Sequence, residues 1–220
     1  MRIRIKFTRN HSVKYLGHLD IMRTFQRCFN RANVRMNYSE GFNPHQKMSF
    51  ALPLGVGVLS RGEYLDAEVE DGQDLSGIRS SLDKVCGQGF DILDVREVRE
   101  GASKAMAAVC YASYDILLNS SCDLHIPEYM GRDSIILQKE TKTGTRDVDL
   151  KTLIEDIHQE ENVIHLLMGC GSENSIKPEL ITADLLSFNG FSADRDNYEV
   201  IRNDLYAQGV IPLIEYQTIP

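Results

Sequence analysis

The chain has 220 residues, of which 42% are hydrophobic and 25% charged, and it contains no Trp. This composition is typical of globular proteins and excludes collagen and intrinsic disorder. There is no apolar run of about 18 residues, and basic residues are interleaved with the apolar ones at the N-terminus. We therefore expect no membrane span, no signal peptide and a cytoplasmic location.

The net charge of -8 is divided unevenly along the chain. Residues 1–50 hold ten Lys and Arg against Asp20 and Glu40, a net charge of +8. Residues 51–220 hold 14 Lys and Arg against 30 Asp and Glu, a net charge of -16. This asymmetry favours a polyanion or an acidic partner at the N-terminal end. The alternative is that acidic residues of the same chain neutralise the basic segment.

The spacing of cysteines and histidines does not indicate a metal site. The five cysteines are widely spaced without a Cys-x-x-Cys pair, and the six histidines form no His-x-x-x-His pair. We interpret the cysteines as reduced structural thiols. We expect no zinc site, no iron–sulfur cluster and no cofactor.

The first hundred residues alternate between strand and helix patterns. Residues 2–7 alternate basic and apolar side chains, which predicts a strand with one core face and one basic face. Residues 18–33 carry apolar side chains at helical spacing. The other predicted elements are strands over 34–38, 47–52 and 63–70, a helix over 75–86 capped by Asp74, and a strand over 90–98.

We predict an α+β fold whose N-terminal unit, residues 1–100, is ferredoxin-like, because the order of elements fits a split βαβ arrangement. Small and charged residues at 99–103 predict a boundary before a second small α+β domain over 104–220. The sequence does not determine the structure of residues 187–220. Within the second domain the predicted elements are a strand late in 106–118, a hairpin of 134–140 and 146–150, a helix from Asp149 or Thr152 to His158, a strand over 163–168 and a helix over 178–186.

The first predicted helix carries a row of arginines. Arg23, Arg27 and Arg31 follow one another at four-residue spacing beside the apolar stripe. Like charges at this spacing repel, so the row favours carboxylates of the same chain or phosphates of a ligand as neighbours. Asp20 can pair with only one of them. The alternative is a solvated face associated with the acidic remainder of the chain.

His18 and Asp20 lie in the first turn of the same predicted helix, after Gly17, a permissible cap. Asp20 there stabilises the positive end of the helix dipole. His18 is either a packed, hydrogen-bonded histidine or a proton carrier facing a bound group. The sequence does not separate these two roles.

Residues 38–47 form the densest polar and aromatic stretch of the chain. Tyr38, Phe42 and His45 can stack on bases, Asn43 can form hydrogen bonds, and Lys47 can bind a phosphate. The alternative is a turn with Phe42 anchored in the core. Together with the basic strand face and the arginine row, these residues predict a continuous surface for RNA or a nucleotide.

The sequence motifs in residues 15–23, 38–57 and 62–64, with Arg27 and Arg31 between them, resemble the bacterial radical-SAM-linked protein family, a domain of unknown function. The resemblance implies a radical SAM protein as partner, because members are fused to one or encoded beside one. Two positions depart from the family pattern: Gly17 stands in place of Ser, and Gln46 stands in place of Pro. The family brings no assigned reaction.

Three functions are consistent with these patterns. The first is a non-catalytic RNA-binding or substrate-presenting partner of a separate radical SAM enzyme, acting on tRNA or rRNA in RNA or ribosome modification. The second is an RNA-processing or phosphoryl-transfer enzyme that uses His18, Asp20 or His45. The third is a protein-binding adaptor whose basic end docks on an acidic surface. The chain lacks the clustered cysteines of a radical SAM enzyme, which favours a non-catalytic role.

Overall fold

The computed structural model describes residues 1–141, 144–171 and 176–219. Its mixed α+β architecture confirms the predicted fold class. Residues 142–143, between the two strands of the predicted hairpin, and residues 172–175, before the predicted helix over 178–186, lie outside the described residues. No helix in the described ranges has the length and apolar character needed to cross a membrane.

Twelve strands and five α-helices follow one another in the described parts of the chain. In chain order they are β1 (Arg2–Arg9), α1 (His18–Arg31), β2 (Met48–Phe50), β3 (Leu59–Glu68), α2 (Leu75–Cys86), β4 (Ile92–Val98), α3 (Ala105–Ala108), β5 (Tyr111–Leu118), α4 (Ile126–Met130), β6 (Ile136–Thr141), β7 (Gly144–Asp149), β8 (Ile154–Glu160), β9 (Val163–Gly169), α5 (Pro178–Phe188), β10 (Tyr198–Ala207), β11 (Ile211–Pro212) and β12 (Thr218–Ile219).

The chain forms two compact units. The first contains Met1–Cys110 together with Arg202–Pro220, and the second contains Tyr111–Ile201. The division falls inside β10. The last segment of the chain, to which the sequence assigns no structure, therefore belongs to the same unit as the N-terminus.

The sheet of the first unit is built around β1. This strand pairs antiparallel with β3 on one side and β4 on the other, so that Ile5 lies opposite Leu65 and Val95. The other edge of β3 is shared by β2 and β10, while β12 extends the sheet beyond β4. Gly62 permits the close approach of β10, because a Cβ atom at this position would lie 2.6 Å from the carbonyl oxygen of Asn203.

One face of this sheet forms the hydrophobic core with α1 and α2. The apolar side chains of β1, including Phe7, are buried there, and Phe7 packs against Phe25 of α1 with ring centroids 4.6 Å apart. Phe90 contacts Phe25 at 5.4 Å. Because successive strand residues point to opposite faces, Arg2, Arg4 and Lys6 lie on the other face.

The two long helices of the first unit begin differently. Asp74 caps α2, since its carboxylate accepts hydrogen bonds from the backbone N–H groups of Ser76 and Gly77, as the sequence predicts. Gly17 precedes α1 without a side-chain cap. The predicted strand over 34–38 reduces to isolated bridges at Met36 and Tyr38.

The second unit contains the antiparallel strands β5, β9 and β8, in that order, and the β6–β7 hairpin. The strand late in 106–118 and the helix from Pro178 are confirmed as β5 and α5. The helix predicted from Asp149 or Thr152 to His158 is wrong. Asp149 caps only one 3-10 turn, and the following residues form β8, because they pair along the apolar strand β9.

Candidate nucleic-acid interface

The basic face of β1 is occupied by acidic residues of the same chain. Arg4 is completely buried and forms a bidentate salt bridge with Asp66, with nitrogen–oxygen distances of 2.8 and 3.0 Å. It also donates hydrogen bonds to the carbonyl oxygens of Leu213 and Tyr216. The C-terminal segment thus covers this cation, which cannot reach a ligand.

Other basic residues of the first unit also have partners within the chain. Lys6 Nζ lies 2.6 Å from the carboxylate of Asp204, and the buried Arg202 pairs with Glu63 at 2.6 Å. Arg9 is buried against backbone carbonyl groups, and this burial lowers the pKa of its guanidinium. Internal neutralisation, which the sequence leaves open, therefore operates at Arg4 and Lys6.

The arginines of α1 have a different environment. Arg23, Arg27 and Arg31 are all exposed, and Arg23 has an acidic neighbour, Asp20, at 3.6 Å. Within the described ranges Arg27 and Arg31 form no ion pair. Asp20 is itself exposed in the first turn of α1, where it stabilises the helix start. The structure thus leaves two guanidinium groups available on the outer side of this helix.

The loop before β2 lies beside this helix. The side-chain amide of the buried Gln46 donates a hydrogen bond to Asn30 Oδ1 at 2.8 Å, which ties the loop to α1. Asn30 lies on the same side of the helix as Arg23 and Arg27, because residues three and four apart share a face. The loop and the arginine row are therefore neighbours.

The aromatic side chains of this loop are exposed. Phe42 is fully exposed, so its alternative role as a core anchor is wrong, and Tyr38 is about half exposed. Asn43 and His45 also lie at the surface, and the His45 backbone N–H donates to Ser39 Oγ at 2.9 Å. The loop presents flat rings and polar groups to solvent next to the cations of α1.

His18 and His45 occupy different surroundings. The exposed His18 begins α1 and packs edge-on against Phe50, with ring centroids 5.2 Å apart. His45 and Lys47 line a cavity that does not include His18 or Asp20. Lys47 Nζ lies 3.5 Å from Glu68 of β3. The use of these histidines in catalysis stays a prediction.

The sequence does not predict a contact between two thiols, one in α1 and one in α2. Cys28 of α1 and Cys86 of α2 are both buried, and a hydrogen bond between them lowers the pKa of Cys28 and raises that of Cys86. Arg31 nearby contributes to the lower pKa of Cys28. Nearly sixty positions separate the two cysteines, so no local spacing signals the contact. Separations of 62 and 139 positions likewise hide the Arg4–Asp66 and Arg202–Glu63 pairs.

Among the described residues no group of three or more His, Cys, Asp or Glu side chains is arranged to hold a metal ion. The exposed groups of α1 and of the loop before β2 are cations and aromatic rings, which suit a phosphate-bearing ligand.

Comparison with known proteins identifies the family. A search of the curated proteins finds no match. The family model described as "Uncharacterized protein conserved in bacteria (DUF2344)" matches residues 2–178, about four fifths of the chain. This match includes β1, α1 and the loop before β2, where the resemblance inferred from the sequence is concentrated. The chain therefore belongs to this bacterial protein family.

Proposed function

We propose that the protein is a non-catalytic RNA-binding or substrate-presenting partner of a separate radical SAM enzyme that acts in RNA or ribosome modification. The observation that carries the RNA-binding part is the row of exposed arginines on α1 beside the exposed ring of Phe42. Guanidinium groups bind phosphates, and exposed aromatic rings stack on unpaired bases. Proteins that bind single-stranded RNA combine these two features.

Arg27 and Arg31 support this role because they form no ion pair among the residues that the structure describes. Like charges one helical turn apart destabilise a helix slightly, and Asp20 relieves only Arg23. A bound phosphate backbone would offset the remaining repulsion at Arg27 and Arg31. The loop is held against the helix through Gln46, so the stacking rings and the cations are positioned together.

The radical SAM partner is supported by the sequence resemblance, and the ferredoxin-like plan of residues 1–100 belongs to the same proposal. The pairing of β1 with β3 and β4, and of β2 with β3, supports that plan. A four-stranded sheet with helices on one face is a common RNA-binding scaffold. Here the proposed contacts come from the helix side and the adjoining loop.

The test is a gel shift of tRNA and rRNA fragments with the full chain. The variant Arg27→Glu/Arg31→Glu is expected to weaken binding at least tenfold, because two charge-assisted contacts become repulsive. The slope of log affinity against log salt is expected to fall by about two.

The matched control is Arg79→Glu/Lys84→Glu, which makes the same charge change at exposed positions of α2. It is expected to bind RNA like the wild type. Equal losses in both double variants would show that only the overall charge matters, and unchanged binding in the α1 variant contradicts the proposal. Co-purification with the enzyme at high salt and without RNA would favour the adaptor alternative.

A further inference from the structure

A cavity of about 450 Å³ opens in the first unit, on the sheet face opposite α1. Three cations line it: Arg2 of β1, Lys47 before β2 and Lys104 before α3. Arg2 and Lys47 lie on the two sides of Glu68 of β3: Arg2 pairs with it in register from β1, and Lys47 contacts it from the segment before β2. The volume lies within the range of about 300–1,000 Å³ that is typical of small-molecule sites.

The acidic residues of the cavity do not cancel this charge. Asp66 is engaged by Arg4 and by the backbone N–H of Ala105, which lies 2.7 Å from its carboxylate. Glu68 forms an ion pair with Lys47, at 3.5 Å. The cavity therefore keeps an excess of positive charge from Arg2 and Lys104, whereas further along β1 the cations are covered by the C-terminal segment.

The two cations that carry this excess charge are held differently. Arg2 donates from Nη2 to the carbonyl oxygens of Ala102 and Ser103, which fixes its guanidinium. Its Nε is buried and has no hydrogen-bond partner among the described residues. Lys104 is exposed and forms no ion pair in the described parts of the chain. The imidazole of His45 adds a ring to the same wall.

We propose that this cavity binds a nucleoside monophosphate, with the phosphate among Arg2, Lys47 and Lys104 and the base beside His45. A phosphate monoester is a strong acceptor for several cationic donors at once. A water molecule occupies about 30 Å³ of liquid, so the cavity has room for a ligand much larger than an inorganic anion. The site lies on the other sheet face from the arginine row, so it does not use Arg27 or Arg31.

Calorimetric titration of the full chain tests this site with the four nucleoside 5′-monophosphates, the corresponding nucleosides and inorganic phosphate. At least one monophosphate is expected to bind ten times more tightly than its nucleoside and than phosphate. The variant Lys47→Met/Lys104→Met is expected to weaken this binding at least tenfold. Both lysines are exposed, so the circular dichroism spectrum is expected to stay unchanged.

Two further variants locate the binding. Arg79→Met/Lys84→Met on α2 removes two cations outside the cavity, and Arg27→Glu/Arg31→Glu alters the RNA surface; neither is expected to change the titration. The site is overturned if no monophosphate binds, if phosphate binds equally well, or if the Lys47→Met/Lys104→Met variant binds like the wild type. Loss of binding in the α1 variant also contradicts this location.

Discussion

The cations of β1 and those of α1 come from the same basic segment, yet they have opposite environments. Arg4 is buried with a two-pronged carboxylate partner and two carbonyl acceptors. Arg27 and Arg31 are exposed and, within the described residues, form no ion pair. A buried charge must be paired because its desolvation is costly, whereas an exposed one can stay solvated until a ligand arrives.

The comparison separates charge that stabilises the fold from charge that is available for binding. On β1, the partners of Arg4 and Lys6 are carboxylates from β3 and β10 of the same unit. Arg2, at the start of β1, lines an open cavity instead. The net charge of a segment therefore overstates the number of cations that are available to a ligand, because some of them are buried or paired.

The largest expected effect is on Arg4. Arg4→Met is expected to lower the free energy of unfolding by about 3–5 kcal/mol, because Asp66 is left buried without its cationic partner. The matched exposed change, Arg27→Met, is expected to alter it by no more than about 0.5 kcal/mol. Urea denaturation followed by circular dichroism measures both.

The double variant Arg4→Met/Asp66→Leu sharpens this test. It is expected to recover part of the stability lost in Arg4→Met, since no carboxylate is then buried alone. Similar losses from Arg4→Met and Arg27→Met would contradict the distinction between the two regions.

A smaller effect is expected at Phe42, on binding rather than on folding. Phe42→Ala is expected to weaken binding of single-stranded RNA by about 1–3 kcal/mol through the loss of one stacking contact. Because the ring is fully exposed, the free energy of unfolding is expected to change by no more than about 0.5 kcal/mol. Fluorescence anisotropy with a labelled oligonucleotide measures the affinity.

Phe42→Tyr serves as the control for Phe42→Ala, because it keeps a ring that can stack. It is expected to bind like the wild type. If the alanine variant also retains full affinity, the loop does not contribute stacking to the interface.

The smallest effect concerns Asp74, an exposed charge with a structural role. Hydrogen bonds from the Ser76 side chain and from the backbone N–H groups of Gly77 and Ser76 hold the pKa of Asp74 below its ordinary value of 3.8. A lowered folded-state pKa adds stability above the unfolded pKa, and this stability is lost as the pH falls through the folded value. Asp74→Ala is therefore expected to destabilise the protein at pH 7 and progressively less below pH 3.8.

Asp74→Asn separates the cap from its charge, because asparagine is an equally good N-cap residue without a titrating group. Thermal unfolding is measured across this pH range. In the wild type, the stability that ionised Asp74 contributes is expected to be lost as the pH falls. In the Asn variant, this contribution to the pH dependence is expected to be absent. A constant difference between wild type and Asp74→Ala at every pH contradicts the charge-dependent role.

Most local elements of the first unit could be predicted because their signals are local. The alternation of residues 2–7 and the Asp74 cap led to β1 and α2. The helix predicted after Asp149 is wrong because Asp149 caps only a 3-10 turn. The residues that follow form a strand through pairing with β9, which lies further along the chain. In the candidate site, only the structure established that the α1 arginines and Phe42 are exposed.

The sequence by itself determined the fold class, the elements around β1, α1 and α2, and the concentration of positive charge in the first 50 residues, because periodicity, caps and composition are properties of neighbouring residues. Only the tertiary structure decided which cations remain available. Residues 202–219 return to the first unit and cover Arg4, and β3 supplies Asp66 to it, while Arg27 and Arg31 stay exposed. These pairings join residues up to two hundred positions apart, and burial, which decides whether a charge needs a partner, exists only once the chain has folded.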